Sequence, residues 1–224
     1  MSNFEHKFLF FPGLTIYDYK GIEDTLTSMA AKGWRIESMG GFVWKFKREE
    51  PADKKFSVLY AANSAEDGIL YTEKEEHIRE FYAKNGWEKV CEWKQVKIYC
   101  IDQEDRAQEI NEAIRLENTH EIMKKTFIPN LIKLLLFTLF LAFYQGMNYF
   151  GIFSYGNDKT GWAFLTILYV AFIGVLILLG YLSWLKISRK RIFEGGQCVH
   201  FTWYRRLLSI LLIGIFIFIV GFVY

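Results

Sequence analysis

The chain has 224 residues, 52% of them hydrophobic and 18% aromatic, which is enough for one soluble domain and a small group of membrane helices. Its net charge of +2 is unevenly spread: residues 1–130 carry 19 Lys and Arg against 23 Asp and Glu, and residues 131–224 carry 8 against 2. The acidic first part lacks the clustered Lys and Arg that neutralise phosphates, which argues against a nucleic-acid-binding surface. Cys91, Cys100 and Cys198 make neither a disulfide framework nor a CxxC zinc motif, so we expect reduced thiols in the cytosol.

The chain opens with a predicted strand, a turn and a helix. Residues 7–11 are aromatic and apolar, and Pro12-Gly13 after them is typical of a type II turn, because Pro presets φ and Gly accepts a positive φ. Residues 19–32 predict a helix that Gly33 ends in a left-handed conformation. Three apolar side chains share one face of this helix: Ile22, Leu26 and Met29.

A hairpin over residues 34–47 is predicted to pack against that helix. Its loop could be the three residues Met39-Gly40-Gly41 or the two glycines alone. We favour the three-residue loop, because it places the large apolar side chains on one face of the ribbon. These side chains are Trp34, Ile36, Phe42, Trp44 and Phe46.

The same order of elements follows a charged, proline-containing break. Residues 56–60 alternate as a strand, and Thr72 with Glu75 predicts a capping box at the start of a helix that Gly86 ends. A second hairpin is predicted to turn at Lys94-Gln95. Its two strands should bring one set of side chains face to face: Trp87, Cys91 and Trp93 with Val96, Ile98 and Cys100.

Two short motifs indicate that these segments are repeats. Ala31-Lys32-Gly33-Trp34 and Lys84-Asn85-Gly86-Trp87 lie 53 residues apart. Neither segment could bury its apolar face well alone. We therefore predict a cytosolic α+β domain over residues 1–101, made of tandem strand-helix-hairpin repeats at about 4–48 and 54–101. Its helices would cover one face of an antiparallel sheet in a ferredoxin-like, pseudo-twofold arrangement.

The two motifs also carry a resemblance to a known family. Met29-Ala30-Ala31-Lys32-Gly33-Trp34-Arg35-Ile36, its counterpart Asn85-Gly86-Trp87-Glu88-Lys89-Val90 and the membrane helices after them resemble the bacterial family called domain of unknown function 2812. The resemblance covers residues 4–101, roughly the predicted domain. That family has no assigned activity and supplies no catalytic residues. The resemblance implies an association with PadR-type transcription regulators.

Residues 102–128 are rich in charge and in helix-forming residues, with Ile110 and Ile114 one turn apart. We interpret them as a solvated helical stalk between the soluble domain and the membrane region. A coiled-coil dimer seam is the alternative, but fewer than about three heptads keep the required register.

Residues 129–224 are predicted to be an all-α transmembrane region. Its three helices lie at about 130–150, 162–185 and 206–224, each near the length of about 20 residues that crosses a bilayer. Between the first two, Asp158 and Lys159 cancel. Between the second and third, only Glu194 opposes six cations: Lys186, Arg189, Lys190, Arg191, Arg205 and Arg206.

By the positive-inside rule that basic connection is cytosolic. The N-terminal domain is then cytosolic as well, and the C-terminus is extracytoplasmic. Aromatic residues at the two ends of the spans are expected to form interfacial belts. One belt would be Tyr149, Tyr155 and Trp162, and the other Trp184, Trp203 and Tyr204.

The basic connection supplies five candidate contacts for a phospholipid headgroup or an acidic partner protein: Arg189, Lys190, Arg191, Arg205 and Arg206. Orientation of the membrane helices explains the same charges and is the preferred interpretation. Gly195-Gly196 and Cys198 are interpreted as a turn with an ordinary thiol rather than a palmitoylation or redox feature. Gln145 and Asn148 are candidate intramembrane polar contacts that bond a neighbouring helix or, alternatively, line a solute path.

Four more groups have a functional and a structural interpretation, and the structural one is preferred for each. His6, His77, His120 and His200 have no ligand spacing and are expected at the surface. Trp34, Trp44, Phe46, Trp87 and Trp93 could form a ligand cage, but a core is favoured. Cys91 and Cys100 should be buried and unpaired. Glu73, Glu75, Glu76 and Glu80 suit a solvated helix face, or secondarily a docking surface for a basic partner.

Together these patterns predict a multi-pass protein of the bacterial cytoplasmic membrane with no catalytic, cofactor-binding or metal-binding residues. The favoured function is a membrane-anchored cytosolic binding or regulatory module for a protein or small ligand. The alternative is a small transport or stress-resistance component, as a monomer or a homo-oligomer, whose helices act and whose cytosolic domain gates them. No enzyme activity is expected.

Overall fold

The computed structural model describes residues 6–10, 15–41, 43–60, 73–102, 110–150 and 158–223. The chain divides into two compact units, one formed by Met1–Met123 with Trp184–Phe201 and the other by Lys124–Ser183 with Thr202–Tyr224. Some sequence predictions lie outside the described residues or side chains. These are the Pro12-Gly13 turn, Phe42, the Thr72 and Glu75 capping box, Tyr155 and Arg205.

The first unit begins with a β-α-β-β segment. Strand β1 (His6–Phe10), helix α1 (Tyr19–Ala31), strand β2 (Trp34–Ser38) and strand β3 (Val43–Arg48) follow one another. The strands form an antiparallel sheet in the order β1-β3-β2. The predicted face of α1 is confirmed, because Ile22, Leu26 and Met29 are all buried.

The first hairpin keeps the predicted faces but not the predicted loop. A loop of residues 39–41 would pair Ser38 with residue 42, whereas Ser38 pairs with Lys45 across a β-bulge. The three-residue loop is therefore wrong. In the observed register Ile36 lies opposite Phe46. The side chains of Ile36, Trp44 and Phe46 are nevertheless all buried, as predicted.

A second β-α-β-β segment follows. It consists of strand β4 (Lys54–Tyr60), helix α2 (Glu73–Lys84), strand β5 (Glu88–Trp93) and strand β6 (Val96–Asp102), with the sheet order β4-β6-β5. The turn at Lys94-Gln95 is confirmed, with Cys91 opposite Ile98 and Trp93 opposite Val96. The prediction for Trp87 is wrong, because its ring packs under α2 in a cluster with Leu59, Tyr82, Tyr99 and Ile101.

The two segments share local features at the offset of the sequence motifs. Gly33 and Gly86 end their helices with φ of 74° and 78°, a conformation that costs glycine little and other residues more. The bulges also correspond, because one lies between Ile36 and Ser38 and the other between Lys89 and Cys91. The described chain thus contains two antiparallel three-stranded sheets followed by helices, which confirms the α+β class.

Helix α3 (Glu112–Ile122) is part of the first unit. Its N-cap is Asn111, whose side chain accepts the N–H of Ala113. The expectation of a solvated stalk is wrong here, because one side of α3 packs against β4 and is buried. The buried residues are Arg115, Leu116, Asn118, Thr119 and Ile122.

The second unit contains two long helices and the larger part of a third. A π-helical turn, Met123–Phe127, leads from α3 into helix α4 (Ile128–Tyr149), and helices α5 (Asp158–Phe193) and α6 (Thr202–Val223) follow. Within this unit the rings of Tyr149 and Phe164 stack at 6.3 Å, which joins α4 to α5. The Tyr169 hydroxyl donates to the carbonyl of Leu211 at 3.0 Å, which joins α5 to α6.

Two stretches of the described chain are long and apolar enough to cross a membrane. They are Glu112–Tyr149 and Gly161–Phe193, and only 17% and 28% of their most apolar windows are buried. A core helix of a soluble domain would be mostly buried, so this exposure supports contact with a membrane. Helix α6 is in the place of the third predicted span.

Candidate functional site

The connection between α5 and α6 folds onto the soluble domain. We call residues 194–201 the strap. The end of α5 holds the strap through Trp184, which is fully buried and donates its indole N–H to the carbonyl of Val199 at 2.9 Å. Ser188 adds a second contact, because its hydroxyl accepts the N–H of Val199 at 3.3 Å.

The strap is fastened to the first turn of α1 by Asp18. This residue is the N-cap of the helix, and its Oδ1 accepts the N–H of Gly21 at 3.0 Å, as capping carboxylates commonly do. Its Oδ2 lies 2.7 Å from Nδ1 of His200 and 3.4 Å from the backbone nitrogen of Phe201. One buried carboxylate therefore both starts the helix and holds the end of the strap.

Tyr19 makes the second attachment. Its hydroxyl donates to Oε2 of Glu112 at 2.8 Å and lies 2.6 Å from Sγ of Cys198. Its ring meets the Trp184 ring edge-on, with centroids 6.1 Å apart. Because Tyr19 is completely buried, the strap covers a surface of α1 that would otherwise be exposed to water.

A buried ion pair packs against the ring of Tyr19. The guanidinium of Arg115 pairs with Glu23, and its carbon lies 4.5 Å from the centroid of the Tyr19 ring, within cation–π range. Glu23 Oε1 also accepts the N–H of Val58 at 2.8 Å, and Arg115 donates to the carbonyl of Val58 at 3.2 Å. Both charges are thus paired and hydrogen-bonded, as buried charges must be. The set Asp18, Tyr19, Glu23, Arg115, Cys198 and His200 is called the junction below.

Burial changes the acid–base properties of three groups in the junction. Burial raises the pKa of the Cys198 thiol, so little of the nucleophilic thiolate forms at neutral pH. Burial also raises the pKa of the Tyr19 hydroxyl and of the Glu23 carboxyl, although Arg115 opposes the change at Glu23. No group of three His, Cys, Asp or Glu side chains within the described ranges could hold a metal ion.

A shallow, solvent-open groove lies between the two β-α-β-β segments. Trp34 and Arg35 line it from the first segment, and Phe56, Val90 and Cys100 from the second. The predicted aromatic set is therefore divided. Trp44, Phe46 and Trp87 are buried in the domain, whereas Trp34 is half-buried at the groove with Arg48 5.0 Å from its ring centroid.

The remaining predicted site residues are scattered. Four of the basic residues are exposed, Arg189, Lys190, Arg191 and Arg206, while the side chain of Arg205 lies outside the described part. Gln145 and Asn148 are half-buried on α4. Cys91, Cys100 and Cys198 are buried and unpaired, as predicted for the first two.

One prediction about the strap is wrong. His200 was expected at the surface, but its side chain is 19% exposed and bound to Asp18. Cys198 is a free thiol after the turn at Gly195, and it is buried against Tyr19. The aromatic belt is also wrong for Trp184 and Tyr204, which are 0% and 7% exposed, whereas Trp203 is exposed.

Sequence patterns did not single out Asp18, Glu23 or Arg115. Asp18 had the one available signal, because an Asp directly before an apolar-periodic segment is typical of an N-cap. Its second role, the contact with His200, joins residues 182 positions apart and leaves no local pattern. The charges of Glu23 and Arg115 look like ordinary solvated helix charges until α1 and α3 are placed beside β4.

Comparison with known proteins gives one match. A family model described as "Protein of unknown function (DUF2812)" matches residues 18–129, half of the chain. The matched part begins at Asp18 and includes Tyr19, Glu23 and Arg115, but it ends before the strap. No curated protein and no solved structure matches the chain.

Proposed function

The chain belongs to the family described as protein of unknown function, DUF2812, and from that premise we propose that it is a membrane-anchored cytosolic binding and regulatory module. The α+β domain would recognise a cytosolic protein or a small ligand, without catalysis. The observation that carries this proposal is the junction, in which the connection between two long apolar helices is part of the soluble domain.

The junction offers a physical route for regulation. The strap is covalently continuous with α5 and α6, so any change at α1 that loosens Asp18 or Tyr19 acts directly on both helices. The strap is clasped while Asp18 and Tyr19 hold it against α1, and released when these contacts are broken. A partner shifts the equilibrium between the clasped and released states only if it binds the two with different affinity. A partner that binds the first turn of α1 would meet this requirement, because Asp18, Tyr19 and Ile22 are buried while the strap is clasped.

Three membrane spans complete the proposal. We propose that α4, α5 and α6 each cross the bacterial cytoplasmic membrane, with the domain and the strap in the cytosol and the C-terminus outside. The basic residues next to the strap support this orientation, since Lys and Arg concentrate in cytosolic connections. Exposed apolar side chains on α4, such as Phe137, Phe140 and Phe143, support contact with lipid or with a second copy of the chain.

The β-α-β-β segments support two finer proposals about the domain. Their common strand order and matching bulges suit a pseudo-twofold, ferredoxin-like duplication. The exposed carboxylates of Glu76 and Glu80 on α2 suit docking of a basic partner, although each already pairs with a neighbouring cation. Family association alone names a PadR-type regulator as that partner.

Affinity capture with the full chain tests the regulatory role. A fragment ending at residue 128 would lack the strap and expose the rings of Tyr17 and Tyr19, so it is an unsuitable bait. The baits are the wild type, His200→Ala, which removes the contact with Asp18, and the matched control His77→Ala, which changes an exposed histidine on α2.

We expect one cytosolic protein to be recovered equally by the wild type and by His77→Ala. Its yield should change by up to about fivefold with His200→Ala, because the loss of about 1 kcal/mol shifts the equilibrium between the clasped and released strap by that factor. Equal recovery by all three baits would contradict coupling through the junction. Recovery of no cytosolic protein by any bait would contradict the binding role.

The second candidate function is transport or stress resistance by the helices, gated by the domain. Gln145 and Asn148 favour it, because half-buried polar side chains in an apolar helix can face a solute path. Solute flux in proteoliposomes that Gln145→Leu abolishes, together with an absence of cytosolic partners, would support this function over the first.

A further inference from the structure

The last two turns of α5 present two different faces. Trp184, Leu185 and Ser188 are buried on one side. Lys186, Arg189 and Lys190 are exposed on the other, and their spacing of three and four residues places them on a single strip. The buried face is fixed by the domain and the strap, so the orientation of the basic strip is fixed as well. We call these three residues the basic strip.

We propose that the basic strip binds the phosphate groups of anionic phospholipids in the cytosolic leaflet. This inference rests on the proposed membrane topology, because it requires α5 to cross the bilayer. It assigns a ligand to charges that otherwise serve only to orient the helix.

The position of the strip along α5 matches the depth of lipid phosphates. The apolar part of the helix ends at Leu185, and Lys190 is five residues further, about 8 Å at the helical rise of about 1.5 Å per residue. A bilayer has a hydrocarbon core of about 30 Å and a total thickness of about 40–45 Å, so each headgroup layer is about 5–8 Å deep. The three cations therefore fall within the headgroup layer and not beyond it.

The cations of the strip are available to a phosphate. Arg189 lies 3.5 Å from Glu117 and Lys190 lies 3.9 Å from Glu194, and all four side chains are at least half exposed. Exposed pairs of this kind contribute little, about 0–1 kcal/mol, so a phosphate can replace the carboxylates. Arginine in addition offers a planar fork that matches two phosphate oxygens. Within the described part of the chain, Lys186 makes no ion pair.

The test compares lipid selectivity in proteoliposomes of phosphatidylcholine. Electron spin resonance of spin-labelled phosphatidylglycerol and phosphatidylcholine gives the association constant of each lipid for the full chain. We expect wild type to prefer phosphatidylglycerol severalfold or more, since each basic residue near an anionic surface contributes about 1 kcal/mol, or about fivefold. The triple variant Lys186→Gln, Arg189→Gln and Lys190→Gln should lose this preference.

Two sets of variants make the test specific. Arg79→Gln, Lys84→Gln and Lys89→Gln remove the same charge from exposed positions of the domain and should leave the preference unchanged. Glu117→Gln with Glu194→Gln removes the competing carboxylates and should raise the preference, opposite in sign to the triple variant. Equal far-ultraviolet circular dichroism and melting temperature confirm that the variants are folded.

Several outcomes would overturn the inference. A triple variant that keeps the preference, or a control triple that loses it, shows that the strip is not the site. Full competition by glycerol 3-phosphate, which has no acyl chains, shows a site for a small anion. An acidic protein whose co-purification depends on the strip, with lipid preference unaltered, shows a protein-docking surface.

The same preparation separates this inference from the proposed topology. Alkaline carbonate releases peripheral proteins from membranes and leaves spanning ones behind. A wild-type chain that is released contradicts the membrane-spanning proposal itself. A chain that resists release but shows no lipid preference contradicts only the role of the basic strip.

Discussion

Gly21, in the first turn of α1, leaves the space that the His200 ring occupies. A Cβ at this position would lie 2.5 Å from two atoms of that ring and 2.6 Å from Oδ2 of Asp18. The ring belongs to the strap, which the Asp18 carboxylate holds in place. Glycine is thus required here by a close approach and not by an unusual backbone conformation.

Gly21→Ala is therefore expected to destabilise the protein. Alanine is favoured over glycine in a helix by about 1 kcal/mol, so without the close approach the substitution would stabilise. Overpacking costs about 1–3 kcal/mol, and we expect it to exceed that gain and lower the melting temperature in detergent. Ser28→Ala, at an exposed position of the same helix, is the matched control and should be neutral or slightly stabilising. A higher melting temperature for Gly21→Ala would show that His200 does not pack against α1.

The buried ion pair of Glu23 and Arg115 is expected to make the stability of the protein depend on pH. Burial raises the pKa of the Glu23 carboxyl, and Arg115 is the strongest influence that opposes this. A carboxyl whose folded-state pKa is raised contributes stability that is present below its unfolded pKa and lost as pH rises through the folded value. Removing Arg115 should therefore increase the stability that the protein loses as pH rises.

Arg115→Met is expected to destabilise the protein by about 3–5 kcal/mol at pH 8, because the buried Glu23 carboxylate loses its guanidinium partner and keeps only Lys20, at 3.5 Å, and the Val58 N–H. At pH 5.5 the loss should be smaller, since Glu23 can then take up a proton. The double variant Glu23→Gln with Arg115→Met removes the titrating group, and its loss should not depend on pH between these values. Chemical unfolding at the two pH values measures both effects. An equal loss for Arg115→Met at pH 5.5 and pH 8 would contradict the assignment of Glu23 as the titrating group.

At the scale of elements, the strap is a short segment held by side chains of two helices. Trp184 and Ser188 fix it to α5, and Asp18 and Tyr19 fix it to α1. We expect such a segment to open locally without unfolding of the domain, because side-chain contacts rather than a helix or sheet hold it in place. Cys198 reports such opening, because its thiol is buried only while the strap is closed.

His200→Ala should increase the alkylation rate of Cys198 by N-ethylmaleimide about five- to tenfold, because the lost hydrogen bond contributes about 1–1.5 kcal/mol to closure. The measurement uses a chain in which Cys91 and Cys100 are replaced by Ala, so that one thiol remains. His77→Ala, in an exposed part of α2, should leave the rate unchanged. An unchanged rate in His200→Ala would mean that the contact with Asp18 does not keep the strap closed.

The ends of helices and the turns could be predicted from the sequence, whereas the contacts between elements could not. The helix ends at Gly33 and Gly86 and the turn at Lys94-Gln95 depend on backbone preferences of nearby residues, which a sequence displays directly. The bulge in each hairpin shifts the register by packing, so the loop after Ser38 was predicted incorrectly. Trp184 was predicted to lie in an interfacial belt, but it is buried in the protein. A tryptophan near the end of an apolar helix suits a lipid interface and a protein core equally, so its sequence position does not distinguish the two.

At the scale of the whole molecule, the first unit restricts how the chain can cross a membrane. Residues 1–123 and 184–201 form one compact unit, so the chain leaves that unit at residue 124 and returns to it at residue 184. If the intervening helices span a bilayer, they must do so an even number of times. Helices α4 and α5 would provide two crossings, and this count agrees with the cytosolic location that we propose for both parts of the first unit.

If helix α6 also crosses, as we propose, the number of crossings is odd and the two ends of the chain should lie on opposite sides of the membrane. Epitope tags placed before Met1 and after Tyr224 test this in spheroplasts treated with an external protease. We expect the C-terminal tag to be digested and the N-terminal tag to be protected until the cells are lysed, because Lys and Arg next to the strap keep it in the cytosol. Protection of both tags would mean that α6 does not cross the membrane. Digestion of the N-terminal tag alone would reverse the orientation and place the junction outside the cell, where no cytosolic partner could reach it.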